Sequence, residues 1–133
     1  MDMITLDTSK REELVDITRQ VRDAVAKSGV RDGVCHLWCE HTTAGLTVNE
    51  NADPDVKRDI LMALSKIVSD AWPYAHGEGN SPAHVKSSLM GCSLVVPVSG
   101  GELVLGTWQG LLFAEFDGPR RGRRVAVAVI PSR

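Results

Sequence analysis

The chain has 133 residues, 43% of them hydrophobic and 24% charged, and a formal net charge of -2. That length suits one domain with one core, and the composition argues against a disordered, fibrous or membrane-spanning protein. The weak net charge offers no global pull toward nucleic acid or an anionic membrane, so any anion recognition must be local.

The three cysteines, Cys35, Cys39 and Cys92, are too few for a disulfide framework and leave at least one thiol free. The N-terminus mixes acids and bases where a signal peptide needs an apolar segment, and no apolar run approaches about 18 residues. Together these features predict a cytoplasmic protein formed as a single domain over 1–133.

Met3 to Thr8 alternates apolar and polar residues, as a half-buried strand does. TRQVRDAVAKSGV reads as a short amphipathic helix that stops at Gly29. In GVCHLWCEH the period of two puts Cys35, Leu37, Cys39 and His41 on one strand face and His36, Trp38 and Glu40 on the other. LTVNE reads as the next strand, returning beside this one after the bend at HTTAG.

Asp53 and Pro54 form an N-cap and first helical position, and Ile60, Leu61, Leu64, Ile67 and Val68 recur at helical spacing. This is the longest predicted helix, ending before Pro73. Ser81, Pro82 and Gly91 frame a short helix over about 82–90, with His84 in its first turn. The remainder, through VAVAVI, holds three or four antiparallel strand runs punctuated by SGG, Gly106, Gly110 and DGPRRG. The expected architecture is α+β, with antiparallel sheet in two layers and helices covering one side.

Three of the four histidines occur where elements begin or end: His41, His76 and His84. A zinc-like ion takes three or four such ligands in tetrahedral array, and these three side chains would supply a set. Each could instead hydrogen-bond a neighbouring loop. Glu50 lies before the helix cap, where capping does not require it, and could orient a histidine or hold a hard cation such as magnesium.

Glu115 and Asp117 share a strand face just before a turn that carries Arg120, Arg121, Arg123 and Arg124. The turn is either a solvated hairpin tip or a phosphate trap. The helix after Ser81 offers free amides, with Lys86, Ser87 and Ser88 close behind as anion ligands. Trp108 and Gln109, between Gly106 and Gly110, offer an indole and an amide to a ligand, although Trp108 could equally belong to the core.

The blocks HTTAGLTVNENAD, YAHGEGNSPAHVKSSLMG and GTWQGLLFAEFDGPR, in this order, closely resemble the YjbQ family, a likeness that runs from about Ile4 to Ile130. The resemblance implies an α+β fold with an antiparallel β-sandwich, assembled as a homotrimer, with a polar pocket near the subunit contacts that takes a metal ion or an anion. Carried over by position, it implies His41, Glu50, His76, His84, Glu115, Asp117 and Arg120 as the pocket residues.

It also implies a secondary thiamine-phosphate synthase activity, which joins hydroxymethylpyrimidine diphosphate to a thiazole phosphate. On that model Glu50, Glu115, Asp117 and Arg120 act in catalysis. Lys86, Ser87, Ser88, Trp108 and Gln109 bind a phosphorylated metabolite. His41, His76 and His84 hold a divalent metal, zinc or magnesium among the choices. The alternatives are a non-catalytic metal- or phosphometabolite-binding protein and a metal-dependent phosphoesterase.

Overall fold

The computed structural model describes all 133 residues. Strands β1 (Asp2–Leu6), β2 (Glu13–Asp16), β3 (Gly33–Cys39), β4 (Ala44–Glu50), β5 (Ser93–Ser99), β6 (Glu102–Leu103), β7 (Gln109–Glu115) and β8 (Arg123–Pro131) accompany helices α1 (Thr18–Ser28), α2 (Pro54–Ile67) and α3 (Ser81–Met90). The strands form two antiparallel sheets, β1-β8-β3-β5-β6 and β2-β7-β4. The fold is α+β with a β-sandwich, as expected. No helix is long and apolar enough to cross a membrane.

Strand β7 explains the layering. Its residues from Gly110 onward are all buried, because it is the central strand of the smaller sheet and has a core on each side. Leu111 and Phe113 join Cys35, Leu37, Leu46, Val96, Val125 and Val127 in the core between the two sheets. Leu112, Ala114 and Phe116 point the other way, into a second core roofed by Ile60, Leu61 and Leu64 of α2 and by Ala83 and Met90 of α3. Strand alternation thus feeds two cores from one apolar run. Burying a side chain the size of Phe113 contributes roughly 1.5 to 3 kcal/mol.

Helix α1 inserts Val21, Ala24 and Val25 into the inter-sheet core. Helix α2 opens as its sequence dictates, with the Asp53 carboxylate accepting the Asp55 amide at 2.9 Å and Pro54 in the first turn. It ends at Ile67, earlier than Pro73 requires, and none of its residues is fully buried. In α3 the cap position belongs to Asn80 rather than Ser81, and the Asn80 side chain makes no capping bond.

Two further expectations are corrected. β4 does not return beside β3: it pairs with β7 in the other sheet, while β3 lies between β5 and β8. The HTT bend therefore crosses between layers, and Ala44 and Leu46 after it enter the inter-sheet core. β2, from ELVD, escaped the sequence reading because a four-residue strand beside KREE carries too little alternation to register.

Candidate functional site

The site is built around the end of β7. Glu115 shares the inward face with Leu111 and Phe113, and there it meets Arg123, which opens β8 in the opposite sheet. Arg123 donates from Nε to one carboxylate oxygen at 2.9 Å and from Nη2 to the other, and Nη2 also reaches Thr43 Oγ1 at 2.9 Å. The Thr8 hydroxyl and the amides of Phe116 and Asp117 donate to the same carboxylate. Burial pushes the Glu115 carboxyl up, but the bonds from Arg123 and Thr8 outweigh it and hold it below the usual glutamate range.

Glu115 is thus fully engaged and has no exposed surface. The structure places this carboxylate on a sheet face that points into the core rather than to the turn.

That cluster shapes the next four residues. Thr8 accepts the Arg120 amide on its hydroxyl and donates its own amide to the Arg120 carbonyl. Gly118 lies against the segment before β2, where a Cβ would come within 2.1 Å of the Lys10 carbonyl oxygen, so only glycine fits. The turn is held on one side, leaving Asp117 and Arg120 on the other.

Arg120 donates from Nε to the Asp117 carbonyl and from Nη2 to Asp117 Oδ2, both at 2.9 Å, while the guanidinium stays half exposed. Asp117 Oδ2 also accepts Asn80 Nδ2 at 3.0 Å. Burial pushes the Asp117 carboxyl up, yet Asn80 and Arg120 outweigh it and keep it below the usual aspartate range. An ionised Asp117 fixes the Asn80 amide with its NH2 toward the carboxylate. Asn80 Oδ1 is then buried without any partner. An unsatisfied buried acceptor is uncommon and marks a place where a donor belongs.

Asn80 stands between the two histidines that flank it in sequence. The rings of His76 and His84 meet edge to face, with centroids 5.3 Å apart. His76 Nε2 lies 3.8 Å from Glu78. The segment from His76 to His84 thus carries two contacts, the His76–His84 ring pair and the bond from Asn80 to Asp117, which Arg120 also holds.

His41 is not in that set. Its Nε2 accepts the Arg124 amide at 2.8 Å, and burial, then the nearby Arg123 charge, lowers its pKa. No three His, Cys, Asp or Glu side chains gather closely enough to hold a metal ion. Within one chain the three-imidazole set is replaced by a pair, so the residues present do not complete a resident metal centre.

The expected anion ligands on α3 are also engaged internally. Lys86 lies on the helix face turned to the sheet and is buried, so it pairs with Glu12 at 2.6 Å. Ser87 donates to the Ala44 carbonyl and Ser88 to that of His84. A lysine two positions past His84 falls on the inward side of the helix, which the reading of free amides did not weigh.

Glu50, Trp108 and Gln109 sit elsewhere. Gln109 faces Glu50 across β7 and β4, at the opposite end from Glu115. Six residues of strand put the two ends about 20 Å apart. The sequence blocks therefore supply two clusters, not one pocket.

Asn80, Thr8 and Thr43 were not among the expected residues, and Arg123, expected with the phosphate-binding arginines of the turn, is buried against Glu115 instead. Only Asn80 left a signal, as an amide between two histidines just before Ser81 and Pro82. Nothing in the sequence separates Arg123 from its three arginine neighbours.

Comparison with known proteins gives a uniform result. A family model described as UPF0047 protein YjbQ-like matches residues 2–132. A UPF0047 protein of Methanocaldococcus jannaschii is 55% identical over 87% of this chain and 84% of its own length. The UPF0047 protein YugU of Bacillus subtilis is 48% identical over 88% and 89%. Among solved structures, a YjbQ/UPF0047 family protein from Clostridium acetobutylicum superposes with a TM-score of 0.95 at 52% identity, covering 98% of this chain and all of that one. A protein of unknown function from Sulfolobus solfataricus gives 0.94 at 35% identity, over 98% and 96%.

Proposed function

The chain belongs to the YjbQ-like UPF0047 family, and from that premise we propose that it handles a phosphorylated small metabolite at the site formed by His76, Asn80, His84, Asp117 and Arg120. Thiamine-phosphate synthesis is the leading reaction. The observation that carries the reading is the half-exposed Arg120 guanidinium, held by Asp117, whose carboxylate also fixes Asn80, with the paired His76 and His84 rings flanking Asn80 in sequence. An anionic group suits the guanidinium and the imidazole N–H donors.

In that condensation the thiazole nitrogen bonds to the methylene carbon of the pyrimidine diphosphate as the carbon–oxygen bond breaks, and diphosphate leaves. Positive charge develops on carbon and negative charge on the departing oxygen. Arg120, oriented by Asp117, would hold the leaving diphosphate, and ring N–H groups of His76 and His84 would donate to it. Glu115 acts only by fixing the turn that carries Asp117 and Arg120.

A second reading, a binding protein without catalysis, is favoured by the internal engagement of Glu115, Lys86 and Ser87, which leaves few free groups for acid–base work. His76 and His84 are the two ligands a divalent cation would take here, with the remaining positions filled from outside the chain. Calorimetry with each thiamine precursor, followed by mass-spectrometric product analysis, decides between the readings. Product supports the first, binding without product the second, and no binding of either precursor overturns both.

The assembly is a homotrimer on this proposal, with the outer face of the larger sheet as its contact. Trp38, Val95 and Ile130 are 46%, 63% and 51% exposed there. Ala126 and Ala128 lie beside Trp38 and His36 in register, so small apolar side chains leave the indole standing proud on this face. A sheet face of this kind is covered in a stable soluble protein.

A further inference from the structure

At the far end of β7 from the histidine pair, a cleft of about 310 Å3 opens between the start of α1, the residues after β4 and the turn before β7. Arg19, Arg22, Asn51, Thr107, Trp108 and Gln109 line it. We propose that this cleft is a second ligand site, taking a planar heteroaromatic ring that carries a phosphate, with the ring on Trp108 and the phosphate between Arg19 and Arg22. Its Gln109 edge lies about 20 Å along β7 from Glu115, so one chain cannot present both clusters to one small ligand.

The indole is displayed on a fixed frame. The Trp108 carbonyl accepts the Asn51 amide at 2.8 Å, and the turn is closed by Gln109 N to the Gly106 carbonyl and by Gly106 N to Gln109 Oε1 at 2.8 Å. Yet the Trp108 side chain is left 63% exposed and stacks on no other ring. A tryptophan held this way, with its face open, is a stacking platform for any π-face that arrives.

The floor is equally specific. Asn51 packs on Gly110 so closely that a Cβ there would come within 2.6 Å of the Asn51 side chain. Asp16 accepts Asn51 Nδ2 at 2.7 Å on one oxygen and the Thr18 amide and hydroxyl on the other. Its carboxylate is therefore occupied on both sides and leaves the arginines free.

Arg19 and Arg22 are three apart, on one side of α1, and neither enters a salt bridge or a side-chain hydrogen bond. Two planar forks one helical turn apart, unpaired beside an exposed indole, match a phosphate next to an aromatic ring. The cleft is the size of a mononucleotide-scale group rather than of a polymer track.

Tryptophan emission of the full chain is measured during titration with adenosine 5′-monophosphate, cytidine 5′-monophosphate, pyridoxine 5′-phosphate, adenosine and inorganic phosphate. The ring phosphates should quench saturably, with adenosine and phosphate each about tenfold weaker or less effective still. The nucleotides against pyridoxine 5′-phosphate separate a nucleotide source from another heteroaromatic phosphate.

The paired change Arg19→Ala and Arg22→Ala should weaken binding about tenfold or more, and so should Trp108→Leu read by calorimetry. Circular dichroism confirms the fold of each variant, and Arg58→Ala, an exposed change on α2, should bind as the parent does. No saturable response to any ring phosphate, binding unchanged in both cleft variants, binding lost with Arg58→Ala, or an oligouridine bound more tightly than every mononucleotide would each overturn the proposal.

Discussion

Glu115 and Arg123 face each other across the gap between the two sheets, the carboxylate with no exposed surface and the guanidinium only 7% exposed. A pair so deep contributes little net stability against an apolar substitute, yet losing one member strands the other charge. Glu115→Gln should lower the unfolding free energy by about 3 to 5 kcal/mol, read from urea melts at pH 7. If Glu115 were instead the reacting carboxylate, the variant would keep its stability and lose turnover.

The same carboxyl sets an acid limit. Its folded-state pKa lies below the usual value, so its stabilisation is fully present above the unfolded value of about 4.3 and is lost as pH falls from there through the folded pKa. Asp117 and Asp16 shift in the same direction and add to the loss below about pH 4. Urea midpoints between neutral pH and pH 3 should fall steeply only at the acid end. In Glu115→Gln that fall should be shallower, and an equal slope would remove Glu115 from the account.

These two expectations concern residues whose roles the sequence could not disclose, and the reason is physical. Helix ends were legible because their signals are local: Asp53 beside Pro54, and the glycines that close α1 and α3. The alternation of β3 was legible for the same cause. Which sheet a strand joins depends on partners far along the chain, so β4 was paired with the wrong neighbour. Likewise Lys86 and Glu12 are 74 residues apart, and nothing near either announces their bond. The pairing of His76 and His84 was within reach because one loop and one helical turn connect them. Their meeting with His41 rested on long-range closure, and within the chain His41 bonds to the Arg124 amide instead.

Arg120 offers a cleaner functional test than either buried charge. Its side chain bonds only to Asp117 and is half exposed, while its backbone ties to Thr8 do not depend on the guanidinium. Exposed ion pairs contribute about 0 to 1 kcal/mol, so Arg120→Ala should melt within a few degrees of the parent. Turnover with the thiamine precursors, or affinity for the diphosphate, should fall about tenfold or more. An unchanged affinity would place the anion elsewhere.

The outer sheet face yields a prediction about assembly. Trp38 neighbours Ala126 and Ser93 in register, so a charge at its position would replace the largest exposed apolar side chain of this face. Trp38→Lys should convert trimer to monomer in analytical ultracentrifugation while preserving the far-ultraviolet spectrum, because the side chain is absent from the inner core. Sedimentation as an unchanged trimer would move the contact to another surface.

Metal binding separates the two groups of histidines. With the rings of His76 and His84 at 5.3 Å between centroids, one ion could bridge them after modest rotation, whereas His41 would first have to surrender the Arg124 amide that it accepts at 2.8 Å. Two protein ligands bind zinc far more weakly than a closed four-ligand site, so the ion should be removable with a chelator and should stabilise the fold only in proportion to its concentration. Zinc titrated into chelator-treated protein should release heat that His76→Ala and His84→Ala each abolish and that His41→Ala leaves intact. Equal loss in all three variants would mean that His41 joins the pair after all, from a neighbouring subunit or through a rearranged loop. Equal retention would remove the imidazoles from metal binding altogether.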